Sequence, residues 1–243
     1  MALFGIIPAR YASTRFPGKP LARIKDKPMI QWVYERAKQS DLQKVVVATD
    51  DDRIRAAVLD FGGEAVMTSP DHASGTERCA EAAAKLNLSG NDIVVNIQGD
   101  EPFIQPDAIN LLCSQFTQPQ VQIATLCKQI SPEEDPANPN MVKVVRSSSG
   151  KALYFSRSAI PYYRNDQIPP AYFKHIGIYA YRLHVLQQLV LLPVSSYEDA
   201  EKLEQLRWLE NDYDIYVRPC SYETVAIDTP QDLVRAESMS NLL

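Results

Sequence analysis

The chain has 243 residues, of which 45% are hydrophobic, and its formal net charge is -5. This length fits one large α/β domain or two small ones, with enough apolar residues for a full core. The acidic balance excludes the basic signature of a nucleic-acid-binding protein, and no apolar run approaches the roughly 18 residues of a membrane span. The N-terminus lacks a signal-peptide pattern and the cysteines are scattered, so we expect a cytoplasmic protein.

Short apolar runs alternate with amphipathic segments through the first half of the chain. The pattern predicts strands at 3–7, 45–48, 65–67, 93–97 and 121–126, and helices at 29–38, 52–61, 76–86 and 106–116. Alternating strands and helices indicate an open, mostly parallel sheet covered by helices on both faces. Ligands of such sheets bind beyond the carboxyl ends of the strands. The loops at 10–19, 50–52, 69–75 and 98–100 are therefore expected at one edge.

The second half of the chain has a different pattern. It predicts a hairpin of strands at 141–145 and 152–155, a long loop at 162–172, strands at 176–181 and 214–217, a helix at 198–209 and a last helix from 229. No linker, repeat or low-complexity run separates the halves. We therefore predict one α/β domain over 1–243, Rossmann-like, with a mixed-strand elaboration after about residue 138.

The loop after the first strand is cationic. Arg10 and Arg15 offer planar forks of donors and Lys19 a compact charge, which suits a polyphosphate. The loop does not match a Walker motif, because Ser13 stands where the earlier glycine belongs and Pro20 replaces the hydroxyl residue. An ordinary solvated basic loop is the alternative.

Two aspartates follow predicted strands. Asp100 comes directly after the buried strand at 93–97, and Asp228 precedes the last helix. One or two carboxylates combined with phosphate oxygens are the usual protein contribution to a Mg²⁺ site. Helix capping is the alternative for both residues, and spacing alone does not show that they meet.

The segment 71–78 reads as a helix N-terminus preceded by small residues, where exposed amides favour an anion or a ribose. Capping by Ser74 or Thr76 explains the same pattern. In the second half, Arg157, His175 and Tyr179 flank apolar strand positions and together suit the carboxylate and hydroxyls of an acidic sugar. The alternative is a structural role for each.

Nine segments in order resemble the 3-deoxy-manno-octulosonate cytidylyltransferases, which activate 3-deoxy-manno-octulosonate (Kdo) for lipopolysaccharide synthesis. They are IPARYASTRFPGKPL at 7–21, VATD at 47–50, SGTER at 74–78, NIQGDEP at 96–102, NPNMVKVV at 138–145, ALYFSR at 152–157, HIGIYAY at 175–181, LEQLR at 203–207 and IDTPQDL at 227–233. The resemblance spans nearly the whole chain. The segments 166–171 and 195–197 match no pattern of the family.

The resemblance implies a transferase that makes CMP-Kdo and pyrophosphate from CTP and an acidic eight-carbon sugar. It implies that the nucleotide is bound by Ala9, Arg10, Ser13, Arg15, Lys19, Ser74, Gly75, Arg78 and Gln98, and that catalysis depends on Lys19, Arg10, Asp100 and Asp228. It implies Mg²⁺ on Asp100 and Asp228, and a sugar subsite of Arg157, His175, Tyr179, Glu204 and Gln205.

The resemblance further implies that 1–137 is the nucleotide-binding half and that 138–243 carries the sugar subsite, the C-terminal helix and a homodimer contact around 138–163. An 8-amino-Kdo or sialic acid cytidylyltransferase is the alternative enzyme. A non-catalytic nucleotide-binding module is the alternative from another class, although Lys19, Asp100 and Asp228 together argue against it.

Overall fold

A computed structural model describes residues 1–12, 16–165, 167, 171–223 and 226–238. The strands are β1 Leu3–Ala9, β2 Arg23–Ile24, β3 Lys27–Pro28, β4 Lys44–Thr49, β5 Ala65–Met67, β6 Ile93–Asn96, β7 Ile123–Gln129, β8 Lys143–Arg146, β9 Ala152–Ser156, β10 Phe173–Arg182 and β11 Ile215–Pro219. The helices are α1 Met29–Lys38, α2 Asp52–Asp60, α3 Gly75–Lys85, α4 Pro106–Ser114, α5 Leu183–Leu189, α6 Ser196–Glu201, α7 Glu204–Glu210 and α8 Pro230–Ser238.

One sheet contains strands from both halves of the chain, in the order β11-β7-β10-β6-β1-β4-β5. The neighbours β6, β1, β4 and β5 are parallel, and so are β7 and β11. β10 is antiparallel to both β6 and β7, between which it lies. β8 pairs with β10 and β9 with β8, which forms the predicted hairpin. The mostly parallel sheet with a mixed elaboration is confirmed.

Helices bury apolar side chains against both faces of this sheet. On one face α1, α2 and α4 contribute to a core that contains Ile30, Ile54 and Leu112. On the other face α3, α5 and α7 contribute to a core that contains Ala82 and Trp208. Strands such as β4 are buried on both faces, which explains why they read as continuous apolar runs.

Three local elements differ from the sequence-based prediction. The single helix expected at 198–209 is two helices, α6 and α7, because Lys202 adopts a left-handed conformation with φ of 52° between them. The helix α5 was not predicted, since its apolar residues continue directly from β10 without a turn signal. Asp51 caps α2 in place of Asp52, accepting a hydrogen bond from the Arg53 amide.

No helix in the described part of the chain is both long and apolar enough to cross a bilayer.

Candidate functional site

The carboxyl ends of β1 and β6 and the first turn of α3 surround an open cavity of about 270 Å³. Its lining consists of Pro8, Ala9, Arg10, Lys19, Pro20, His72, Ala73, Ser74, Gly75, Arg78, Gln98, Gly99, Asp100 and Asp228. The predicted loops 10–19, 69–75 and 98–100 thus meet at one edge of the sheet. The carboxyl ends of neighbouring parallel strands necessarily lie on the same side.

Lys19 projects into this cavity from a short 3-10 turn, Lys19–Leu21. The preceding Gly18 has a φ of 70°, and its amide donates to the Tyr11 carbonyl at 2.9 Å. A side chain at Gly18 would also meet the Tyr11 ring at 3.1 Å. The left-handed φ and this close approach both favour glycine at this position. The Lys19 Nζ lies 2.7 Å from Asp100 Oδ2 and 3.3 Å from Asp228 Oδ1.

The two aspartates meet because the backbone joins their loops. The Ile227 amide donates to the Asp100 carbonyl at 2.9 Å. Thr229 and Asp232 cap the start of α8. The Thr229 amide donates to the Asp232 carboxylate, and the Asp232 amide donates to the Thr229 hydroxyl. Asp228 is therefore not needed as the helix cap, and its carboxylate faces Lys19.

Glu101, the neighbour of Asp100, has a different environment. Its side chain is buried, and the Tyr222 hydroxyl donates to its Oε2 at 3.5 Å. Burial, reinforced by the charge of Asp100, raises the pKa of Glu101 to about 8. Neither acid caps α4, whose N-cap residue is Gln105 and which has no side-chain cap bond. Two adjacent carboxylates thus have separate roles, one in the core and one in the cavity.

The first turn of α3 forms one wall of the cavity. Ser74 is its cap and accepts from the Glu77 amide at 3.2 Å, while the Glu77 carboxylate accepts from the Ala73 amide at 2.8 Å. The alternative cap, Thr76, instead donates its hydroxyl to Glu204 Oε2 at 2.6 Å. The capping interpretation therefore holds for Ser74, and it is compatible with anion binding by the same turn.

Arg78 lines the cavity although its side chain is almost wholly buried. Its guanidinium donates to Thr68 Oγ1 at 2.6 Å and to Asp50 Oδ2 at 3.3 Å. These contacts tie α3 to the ends of β5 and β4 and fix the direction of the guanidinium. A charge held in this way needs no reorganisation when a ligand arrives.

The residues expected at the sugar subsite lie on the second half of the chain, and none of them is among the residues that line this cavity. Tyr179 on β10 is directly opposite Asn96 on β6, and its buried hydroxyl has no hydrogen-bond partner within the described residues. Gln98 Nε2 donates to the Gly177 carbonyl at 3.2 Å, which links the cavity wall to β10. Gln205 is buried in the first turn of α7.

Arg157, the first of the expected sugar-binding residues, bonds to main-chain carbonyls. Its guanidinium donates to the main-chain carbonyls of Glu201 and Pro139 at 2.7 and 2.9 Å. Like the other four expected sugar-binding residues, it is not among the residues that line the cavity.

Ser13 and Arg15 lie outside the described residues. The sequence analysis did not select His72, Pro8, Pro20, Ala73 or Gly99, all of which line the cavity. In the sequence, His72 is marked only by its position in the loop 69–75, which is predicted to lie at the ligand-binding edge of the sheet. The His72 imidazole contacts the Glu81 carboxylate on α3, and this contact fixes the loop to the helix.

His175 lies edge-on to Phe155 and 5.2 Å from the Tyr179 ring, and its Nε2 is 3.0 Å from Thr125 Oγ1. Because this enclosure desolvates the imidazole, the pKa of His175 falls from 6.5 to about 3. The native protein thus holds the ring neutral, while the unfolded chain protonates it near its ordinary value. The contribution of the neutral ring to the free energy of unfolding is therefore complete above the ordinary pKa of 6.5. It is lost as the pH falls from 6.5 toward the pKa of about 3 in the folded protein.

We expect the parent protein to lose up to about 2 kcal/mol more unfolding free energy between pH 7 and pH 5 than a His175→Asn variant. Urea denaturation at the two pH values measures this difference. His184→Asn is the matched control, since His184 is exposed and its imidazole contacts the Gly90 carbonyl at the surface. Equal pH dependence in the parent and in His175→Asn would contradict the desolvation argument.

Comparison with known proteins identifies the family. Residues 4–215 match the family model described as Cytidylyltransferase. The chain is 55% identical to the 3-deoxy-manno-octulosonate cytidylyltransferase of Bacteroides thetaiotaomicron, over 98% of this chain and 97% of that protein. It is 48% identical to the 8-amino-3,8-dideoxy-manno-octulosonate cytidylyltransferase of Shewanella baltica, over 96% of each.

Solved structures agree with this assignment. A structure described as CMP:2-keto-3-deoxy-manno-octonic acid synthetase complexed with CTP superimposes with a TM-score of 0.94 at 46% identity, and the match covers 100% of both chains. A thymidylyltransferase structure from Bacillus anthracis, with 21% identity and a TM-score of 0.67, shares the fold. The chain therefore belongs to the 3-deoxy-manno-octulosonate cytidylyltransferase family of nucleotidyltransferases.

Proposed function

We propose that this chain transfers CMP from CTP to Kdo, forming CMP-Kdo and pyrophosphate. The observation that carries the proposal is the cation bridge in the cavity, where Lys19 contacts both Asp100 and Asp228, in a chain of this family. In the reaction the anomeric hydroxyl oxygen of the sugar forms a bond to the α-phosphorus. The bond from that phosphorus to the pyrophosphate oxygen breaks, and the hydroxyl proton is released.

The two aspartates fit a Mg²⁺ ion. Their carboxylates lie 2.7 and 3.3 Å from one ammonium nitrogen, so a single cation can contact both. No cluster of three or more potential ligands occurs among the described residues, and Mg²⁺ commonly takes only one or two carboxylates besides phosphate oxygens and water. When bound by Asp100 and Asp228, the ion would polarise the α-phosphate and neutralise its charge.

The chain's own cations would hold the triphosphate. Arg10 is exposed at the end of β1 and lines the cavity beside Lys19. Both can balance the negative charge that builds on the departing pyrophosphate, because phosphoryl transfer depends mainly on positioning and charge neutralisation. Further nucleotide contacts are assigned to Ala9, Ser13, Arg15, Ser74, Gly75, Arg78 and Gln98.

The sugar would lie toward the second half of the chain, against His175, Tyr179, Glu204 and Gln205. A neutral imidazole at His175 and the buried Tyr179 hydroxyl suit the hydroxyl groups of a sugar better than its charge. Desolvation raises the pKa of Glu204, whose carboxyl group accepts from the Thr76 hydroxyl. The first turn of α3 would thus border both substrates.

Incubation with CTP, Mg²⁺ and one acidic sugar at a time tests the proposal, with pyrophosphate release as the measurement. We expect turnover with Kdo, and a higher kcat/KM for Kdo than for 8-amino-Kdo or a sialic acid. A higher kcat/KM for 8-amino-Kdo would assign the function of the Shewanella relative. CTP binding without pyrophosphate release from any sugar would favour a non-catalytic nucleotide-binding module.

Two further assignments belong to this proposal. The enzyme would act in the cytoplasm as a homodimer that pairs through residues around 138–163. The division into a nucleotide-binding half at 1–137 and a sugar-binding half at 138–243 is likewise proposed.

A further inference from the structure

The strand β10 contains a bulge where it pairs with β7. Ile176 lies opposite Leu126, but the next pair is Tyr179 with Thr125, so the two residues of β10 between these pairs have none opposite them in β7. A bulge bends its strand and redirects the neighbouring side chains. This bulge lies between His175 and Tyr179, both of which are expected at the sugar, and it brings their rings to 5.2 Å from each other.

Side chains satisfy the backbone carbonyls of this bulge. Thr125 is fully buried, and its Oγ1 lies 2.7 Å from the Ile178 carbonyl oxygen and 3.1 Å from that of Ile176. Between them, the Gly177 carbonyl accepts from Gln98 Nε2 at 3.2 Å. A buried carbonyl without a donor costs free energy, so the hydroxyl proton of Thr125 is committed to the main chain.

The same hydroxyl also contacts His175. The Thr125 Oγ1 lies 3.0 Å from His175 Nε2. A hydroxyl has one proton and two lone pairs, and a carbonyl oxygen cannot donate. Because the Thr125 proton goes to a carbonyl, its oxygen accepts from His175, and Nε2 carries the ring proton. A hydroxyl that donated to Nε2 would instead turn its lone pairs toward two carbonyl oxygens.

The other nitrogen of the ring is thereby an acceptor. Desolvation lowers the pKa of His175 to about 3, so the imidazole is neutral near pH 7 and has one N–H group and one lone pair. With the proton on Nε2, the lone pair lies on Nδ1. This atom forms no hydrogen bond within the described residues, and it is not one of their buried unpaired polar atoms. It can therefore accept a hydrogen bond from a ligand.

We propose that Thr125 is a positioning residue, which fixes the ring proton of His175 on Nε2 so that Nδ1 accepts a hydrogen bond from one hydroxyl group of the sugar. The inference rests on the proposed function, which places His175 at the sugar. It gives this contact a direction, because the protein supplies the acceptor and the substrate must supply the donor. A sugar without that hydroxyl leaves the acceptor unpaired and is bound more weakly.

Nitrogen NMR of isotope-labelled histidine side chains gives the first test, because the chemical shift of each ring nitrogen reports whether it carries a proton. The chain has 3 histidines, and His175→Asn identifies the signals of His175. At pH 7 we expect the proton on Nε2 in the parent and in Thr125→Ser, which keeps the hydroxyl. In Thr125→Val we expect a mixture of the two tautomers, since the Nε2 proton then has no acceptor.

Steady-state kinetics give the second test, with Thr117→Val as the matched control. Thr117 is exposed and donates to the Ser114 carbonyl at 2.8 Å, so this variant removes the same kind of hydrogen bond away from β10. We expect Thr125→Val to lower kcat/KM for Kdo roughly 10-fold, with KM for CTP almost unchanged. Thr125→Ser should recover most of this loss, and Thr117→Val should match the parent.

Analogues of Kdo that each lack one hydroxyl separate positioning from a general distortion of the bulge. For the hydroxyl bound by Nδ1, the parent should lose about as much kcat/KM as Thr125→Val loses with Kdo, and the two changes together should be strongly non-additive. With the other analogues, Thr125→Val should keep its full fold-loss. A distorted bulge would lower kcat/KM by the same factor for every analogue.

A parent spectrum with the ring proton on Nδ1 overturns the inference. An unchanged tautomer in Thr125→Val, or an equal fold-loss for every analogue, overturns it as well. Should Thr125→Val not fold, Thr125→Ala carries the same tests, because alanine also lacks the hydroxyl. A parent protein that releases no pyrophosphate with any sugar contradicts the proposed function instead, and the spectra still decide the tautomer.

Discussion

Replacing Asp100 with asparagine is expected to lower kcat for pyrophosphate release by roughly 10³-fold or more, since a metal ion supplies several kcal/mol of transition-state stabilisation. The carboxylate lies 2.7 Å from the Lys19 ammonium and shares that cation with Asp228. Asparagine keeps the shape of the side chain and removes its charge. The variant should also bind Mg²⁺ or Mn²⁺ more weakly in a calorimetric titration that includes CTP.

The control for this change is Asp107→Asn. Asp107 is an exposed acid in the first turn of α4, so its replacement removes the same charge away from the cavity. The Asp107→Asn variant should retain the parental kcat and the parental affinity for the metal ion. An Asp100→Asn enzyme that releases pyrophosphate at the parental rate would remove Asp100 from the proposed metal site.

Lys19→Ala is expected to lower kcat by roughly 10²- to 10³-fold, comparable with the loss of one donor that stabilises transition-state charge. The Lys19 ammonium contacts both aspartates, so the variant also lacks a cation that competes with Mg²⁺ for the two carboxylates. The Mg²⁺ concentration for half-maximal rate should therefore stay equal or decrease while kcat falls. Rate measurements over a Mg²⁺ series separate the two effects.

Lys44→Ala provides the comparison. Lys44 forms an ion pair with Glu64 at 2.7 Å, at the start of β4 and thus at the other end of the sheet. We expect parental kinetics from it. Near-normal turnover of Lys19→Ala would contradict the catalytic role of Lys19, and a large increase in required Mg²⁺ would contradict the shared-cation geometry.

The position of the site followed from sequence because it depends on local patterns. Apolar runs such as 45–48 and 93–97 fix strands, and loops after parallel strands gather at one edge. Arg10, Lys19 and Asp100 each follow such strands, so their shared edge was predictable. His72 was not selected, because a lone histidine in a loop carries no signal until the cavity is known.

The shared contact of Asp100 and Asp228 with Lys19 was beyond the sequence argument. The two residues are joined through the bond from the Ile227 amide to the Asp100 carbonyl, which depends on where α8 packs. The start of the last helix at 229 was predicted, but the capping by Thr229 and Asp232 and the direction of Asp228 were not. Contacts between distant segments are set by packing, and a single sequence does not display them.

The sequence by itself determined the α/β class, the hairpin at β8 and β9, and the cationic loop after β1, since these follow from periodicity, turn residues and residue chemistry. Only the tertiary structure decided that β10 lies inverted between β6 and β7, and that Lys202 breaks the last long helix in two. Both depend on long-range contacts, namely sheet pairing across the chain and the carbonyl contacts of Arg157.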